Sequence, residues 1–173
     1  MKEPLSEIFK EGGHKNSLGR SEEVLGEVLE NKERLPELYE SISDPDAWVR
    51  MRAIDTLEKV FRVHPDWAEP YIDDIFCNLL ELDQASIQWH LAQIFTTIEL
   101  NKSYKLRAID WMSTLLSTTS VDWIVAVNAM NTLKTFTEEG WLKRSKFKSL
   151  VTIQLKHTSK SVVKRAHMYL REI

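Results

Sequence analysis

A lone cysteine, Cys77, cannot close a disulfide within the chain, so no internal covalent staple supports the fold. Five glycines and five prolines among 173 residues leave little room for long loops. No stretch approaches the ~18 consecutive apolar residues of a membrane span, so no membrane partner is expected. Met1-Lys2-Glu3-Pro4-Leu5-Ser6-Glu7 lacks the apolar run of a signal peptide. Together with the single thiol, these absences lead us to expect a cytoplasmic protein. Motifs that carry chemistry are missing too. There is no Cys-x-x-Cys and no His-Glu-x-x-His, and Gly12-Gly13 alone is too little for a phosphate-binding loop. The histidines, His14, His64, His90, His157 and His167, never stand four apart. No catalytic residue, metal or cofactor is therefore expected, and the chain reads as a non-enzyme. Acidic residues are scarce at one end. From Trp141 onward Glu172 is the single acid against nine lysines and arginines, a charge of +8, while the chain before Trp141 carries 14 basic and 25 acidic side chains, or -11. The overall -3 conceals this dipole, which bears on partners and not on fold.

A repeated helix is what the sequence has in abundance. Aligned at Val49, Ile87, Val125 and Val162, four segments recur at steps of 38, 38 and 37 positions. Four residues on come Ala53, Leu91, Ala129 and Ala166; then Leu57, Phe95, Leu133 and Leu170; then Val60, Ile98, Phe136 and Ile173. All sixteen positions are apolar at offsets 0, +4, +8 and +11, which is one face of an α-helix. Each copy follows a second apolar segment: Leu35/Leu38/Tyr39/Ile42, Ile72/Ile75/Phe76/Leu79/Leu80, Ile109/Met112/Leu115/Leu116 and Phe147/Leu150/Val151/Ile153. A period of this length, built this way, predicts stacked helical pairs. Leu5, Ile8 and Phe9 predict a short helix upstream, and Val24, Leu25, Val28 and Leu29 one that follows Ser21. No segment alternates with the period of a strand. The predicted fold is an all-α, right-handed α-α superhelix. It is one domain, residues 1–173, with cap helices in 1–31, four pairs in 32–173 and a basic last pair in 141–173.

The junctions carry helix signals. Asp44, Asp83, Ser120 and Ser159 lie just before the recurring helices as N-cap candidates, with Pro45 just inside the first. His64-Pro65 reads as a stop, Asp66 with Glu69 as the next start, and Pro70 as a first-turn residue. Of six tryptophans, Trp67, Trp111 and Trp141 read as core or junction fillers, and Trp123 as packing at a turn. Trp89 reads as exposed, because its column otherwise holds Met51, Val127 and Lys164. Cys77, beside an apolar stripe, reads as a packing thiol.

The run Asp44-Pro45-Asp46-Ala47-Trp48-Val49-Arg50-Met51-Arg52-Ala53-Ile54-Asp55-Thr56-Leu57 resembles the signature of a HEAT repeat, an armadillo-like unit with an Asp at the turn before Val-Arg, Ala and Leu. Ile87-Gln88, Val125-Ala126 and Val162-Val163 depart from it, so residues 32–173 resemble four degenerate repeats. Two helices are also worded like those of small bacterial HEAT-like proteins of unassigned activity. The resemblance implies a scaffold that binds proteins or, less often, nucleic acid.

Two surfaces are candidates. Beside the apolar columns lie Arg52/His90/Asn128/Arg165 and, three residues on, Asp55/Gln93/Asn131/Met168. If the recurring helices line a concave wall, these form a polar ladder. Arg52, Asp55, Trp89, His90, Gln93, Asn128, Asn131 and Arg165 are its candidate binding residues, with Trp48 and Met51 as further apolar anchors. The bland alternative is a solvated helix face with Arg52 and Asp55 paired locally. The second surface is the basic end: Lys143, Arg144, Lys146, Lys148, Lys160, Lys164 and Arg171. It reads as a charged terminal cap, as a site for an acidic protein or the acidic body of another copy, or as a contact for nucleic-acid phosphates. The leading expectation is a protein partner on the ladder. The alternative is a nucleic-acid-binding module using the basic end. A remote third is an alkylated-base DNA glycosylase, for which Trp48, Arg52 and Asp55 suit superficially.

Overall fold

The computed structural model describes residues 3–14 and 17–173, and among these the secondary structure is entirely helical. The ten α-helices are α1 Leu5–Lys10, α2 Ser21–Glu30, α3 Leu35–Glu40, α4 Ala47–Val63, α5 Ile72–Cys77, α6 Ala85–Thr97, α7 Lys102–Leu115, α8 Trp123–Glu138, α9 Arg144–Gln154 and α10 Lys160–Glu172. The recurring helix is present in all four copies, as α4, α6, α8 and α10. Fourteen of its sixteen aligned apolar positions are buried; Leu170 is half-buried and Ile173 is exposed, at the chain's last turn.

The helices fall into two compact units, Met1–Ala68 and Glu69–Ile173. In the first, α1, α2 and α3 all pack on α4. Leu5, Ile8, Phe9, Val24, Val28, Leu35 and Leu38 close around Val49, Ala53, Leu57 and Phe61. In the second, the recurring helices stack on one another, α6 on α8 and α8 on α10, with α7 and α9 packed against α8 from outside. The Thr132 hydroxyl donates to the Ala92 carbonyl at 2.6 Å, tying α8 to α6 through their buried face. Between α7 and α9 an open groove of about 440 Å³ remains.

Capping side chains set the helix starts, but not all those expected. Asp46 caps α4, accepting from the Trp48 N–H at 2.8 Å, and Asp122 caps α8 through Ile124 at 2.9 Å. Asp44 instead accepts from the Asp46 N–H at 2.8 Å and shapes the preceding turn. Gln84 and not Asp83 holds the cap position of α6. Ser120 lies ahead of the α8 cap, and Ser159 holds the α10 cap position without a capping bond. Pro45 accordingly precedes the helix rather than opening it. His64 does end α4. Pro65–Tyr71 is a 3-10 helix, and Pro70 sits inside it because its missing N–H cannot serve an α ladder; α5 starts only at Ile72.

The end of α8 shows how local sequence redirects the chain. Gly140 has φ +83, and Gly140 N–H reaches Thr137 O at 3.1 Å while Trp141 N–H reaches Phe136 O at 2.8 Å. This pair of bonds is a Schellman closure, which requires a left-handed residue and so favours glycine.

The turn between α7 and α8 is held from α9. Gln154, fully buried, donates from Nε2 to the carbonyls of Leu116 and Thr118, both at 2.9 Å. His157, also buried, accepts the Ser159 N–H at Nδ1. Its proton therefore resides on Nε2, which donates to Val121 O at 2.8 Å. Gln154→Ala leaves two carbonyls of that turn without donors, and we expect it to cost about 2 kcal/mol. The check is urea unfolding, where the midpoint should fall with the slope unchanged. An unmoved midpoint would show that the turn holds itself.

Candidate functional site

The polar ladder is drawn inward. Arg52 is 4% exposed, and its guanidinium donates to four main-chain carbonyls: Ser17 at 2.9 Å, Gly12 at 3.0 Å, Glu11 at 3.3 Å and, closest of all, Phe9. Gly19, at φ +51, lies flat against it; a Cβ there would stand 2.8 Å from the guanidinium carbon. Asp55 pairs with Lys59 at 3.1 Å, and Lys59 with Glu22 at 2.7 Å. Burial acts to lower the Lys59 pKa, but the hydrogen bonds to Glu22 and Asp55 outweigh it and raise it. The local Arg52–Asp55 pair of the bland alternative is therefore replaced by two separate commitments, both inside the first unit. Trp48 and Met51 are half-buried beside them.

In the second unit His90 is 2% exposed, its Nδ1 against Ser86 O at 2.6 Å, and the half-buried Trp89 stacks on its ring. Gln93 donates to Asn128 Oδ1 at 3.0 Å, and Asn128 donates to Ile124 O at 2.8 Å. The Tyr169 hydroxyl donates to Asn131 Oδ1 at 2.6 Å, and Arg165 lies 5.7 Å from the Tyr169 ring. Lys134 spans Glu138 at 2.5 Å and Glu172 at 3.5 Å. The Glu138 hydrogen bond, only partly opposed by burial, raises its pKa. So α6, α8 and α10 do bring Gln93 to Asn128 and Asn131 to Arg165's neighbour Tyr169. The ladder amides are bonded to each other, to their own helix and to an adjacent one. Buried Arg52 and His90 have no face to offer a ligand.

The basic end is arranged the opposite way. Lys143, Arg144, Lys146, Lys148, Lys160, Lys164 and Arg171 are all exposed. Among the described residues none of them pairs with a carboxylate. Cations elsewhere are largely occupied: Arg20 with Glu11 and Glu23, Arg34 with Glu27 and Glu37, Arg62 with Glu58, Lys105 with Glu139. On α10, Lys160, Lys164, His167 and Arg171 share one exposed stripe at offsets 0, +4, +7 and +11, opposite buried Val162, Ala166 and Tyr169. Beside the stripe, Lys164, Arg165 and Arg171 surround Ser161 and Met168 in an open hollow of about 490 Å³.

Three further residues differ from their sequence readings. Trp141, expected as a core or junction filler, lies at the junction between α8 and α9 but is 39% exposed, because the Schellman closure turns it outward with Lys105 5.0 Å from its ring. Trp123, expected to pack at a turn, is 50% exposed on the first turn of α8. Cys77 is exposed; on α5 it points away from the buried side of Ile75, Phe76 and Leu79.

No family model, no curated protein and no solved structure matches the chain. Among the described residues no helix is long and apolar enough to cross a membrane.

Proposed function

We propose that the protein is a non-enzymatic binding module of HEAT-like architecture that takes an acidic partner on its C-terminal helical pair, α9 and α10. The observation that carries this reading is the contrast in pairing. Exposed cations cost little to leave unpaired in water, but a surface that pairs its cations through most of the chain and spares them at one end keeps those charges available. The polar ladder, first in line from the sequence, gives way because Arg52, Asp55, His90, Gln93, Asn128 and Asn131 are engaged in contacts within the protein. Arg52 and Asp55 are likewise bonded within their own unit, which counts against the glycosylase reading.

The test is capture of native partners at 50 mM salt by the wild-type chain and by Lys146→Glu/Lys148→Glu/Lys164→Glu. The triple variant should lose what the wild type retains, while Gln93→Ala/Asn131→Ala should keep it. Retention by the folded triple variant would remove the basic end from consideration.

A further inference from the structure

Resting on the reading of the C-terminal pair as the working surface, we infer that its acidic partner is nucleic acid, held by the sugar–phosphate backbone along α10. Two features separate a phosphate backbone from an acidic protein surface, and a third directs any polyanion to this end. First, the α10 stripe is periodic. Lys160, Lys164, His167 and Arg171 recur about once per helical turn, roughly every 5–6 Å over ~16 Å of helix. No acid interrupts the helix between Lys160 and Arg171. A row of three cations with one imidazole between them matches a polymer with a regular row of phosphates better than it matches an irregular acidic patch.

Second, the composition is wrong for a protein interface. Such interfaces are depleted in lysine at their centres and anchored by buried aromatic, apolar or arginine side chains. The exposed basic set here is mostly lysine, and the α10 hollow offers Met168 as its apolar element. Phosphate contacts need only positioned point charges and hydroxyls, and they gain from counterion release. Lys164, Arg165, Arg171 and the Ser161 hydroxyl supply donors around one hollow with no carboxylate in its wall.

Third, the rest of the chain is acidic, at -11 before Trp141. That charge repels a polyanion from every other surface and leaves the basic end as the place of contact. Neither the stripe nor the hollow presents a rigid, buried polar group to a base edge, so the contact reads no sequence.

The experiment is fluorescence anisotropy with the full chain. The probes are a labelled 20-nucleotide single strand of mixed sequence and a labelled 20-residue poly-glutamate, from 50 to 200 mM salt. With about four phosphates neutralised, affinity for the strand should fall roughly 50-fold over that range. Lys164→Gln/Arg171→Gln should weaken binding at 50 mM and flatten the log–log salt slope by about 1.4. Lys32→Gln/Lys102→Gln, at exposed positions outside the C-terminal pair, should change neither. Circular dichroism checks that each variant is folded. Equal or tighter binding of poly-glutamate would overturn the nucleic-acid inference and keep the acidic-partner reading. Binding of neither probe would remove both. An unchanged salt slope in the α10 variant would overturn the assignment to this helix.

Discussion

Arg52→Leu should destabilise the protein by about 3–4 kcal/mol, because it removes a buried cation whose donors satisfy four carbonyls at once. For a chain of this size that corresponds to a fall in Tm of roughly 6–15 °C, read by thermal denaturation. Leucine fills part of the volume but offers no donor, so the carbonyls of Phe9, Glu11, Gly12 and Ser17 must find water or remain unsatisfied. Arg52→Lys should recover less than half of the loss. An ammonium is one point with three donors, whereas the guanidinium spreads five over a plane that reaches residues 9 to 17. A variant that melts within about 2 °C of wild type would show that the N-terminal segment is held by α1 and α2 packing alone.

That arginine also marks the boundary of what sequence could show. The repeat placed Arg52 correctly on α4, next to the apolar column. Spacing states which side chains share a face. It does not state that another segment, 35 to 43 residues away in sequence, lies over that face. Gly19 was the available signal: a left-handed glycine that a Cβ would drive into a guanidinium. Asn128 and Asn131 escaped for a related reason. Their partners, Gln93 and Tyr169, sit one repeat away, and only the stacking of α6, α8 and α10 brings them within reach. The basic end was legible because its property is local. With Glu172 the single acid from Trp141 onward, few carboxylates are near enough in sequence to neutralise its cations, and the fold brings none to the seven exposed ones. Ser159 was placed at its cap position, while the other three caps lie one or two positions further on; at α4, Asp44 and Asp46 are both good caps, and the competition between them is settled by turn geometry.

The second large effect tests the repeat itself. Leu57, Phe95, Leu133 and Leu170 occupy one column, but their surroundings differ. Leu133 is fully buried in α8, which packs against α6 on one side and α10 on the other. Leu133→Ala therefore opens a cavity that two flanking helices restrain from collapsing, and should cost about 3–4 kcal/mol. Leu170 is half-buried on α10, whose main packing partners are α8 and α9. Leu170→Ala removes less apolar surface from shelter and can relax into solvent, so it should cost under half as much. Both are measured by urea unfolding at constant slope. Among the recurring helices of this unit, α8 packs on both α6 and α10, while α10 packs on α8. The same asymmetry leaves the outer face of α10 open to carry charge instead of core. Equal costs at Leu133 and Leu170 would mean that the last helix is as enclosed as the one beneath it, and its row of cations would then need another explanation.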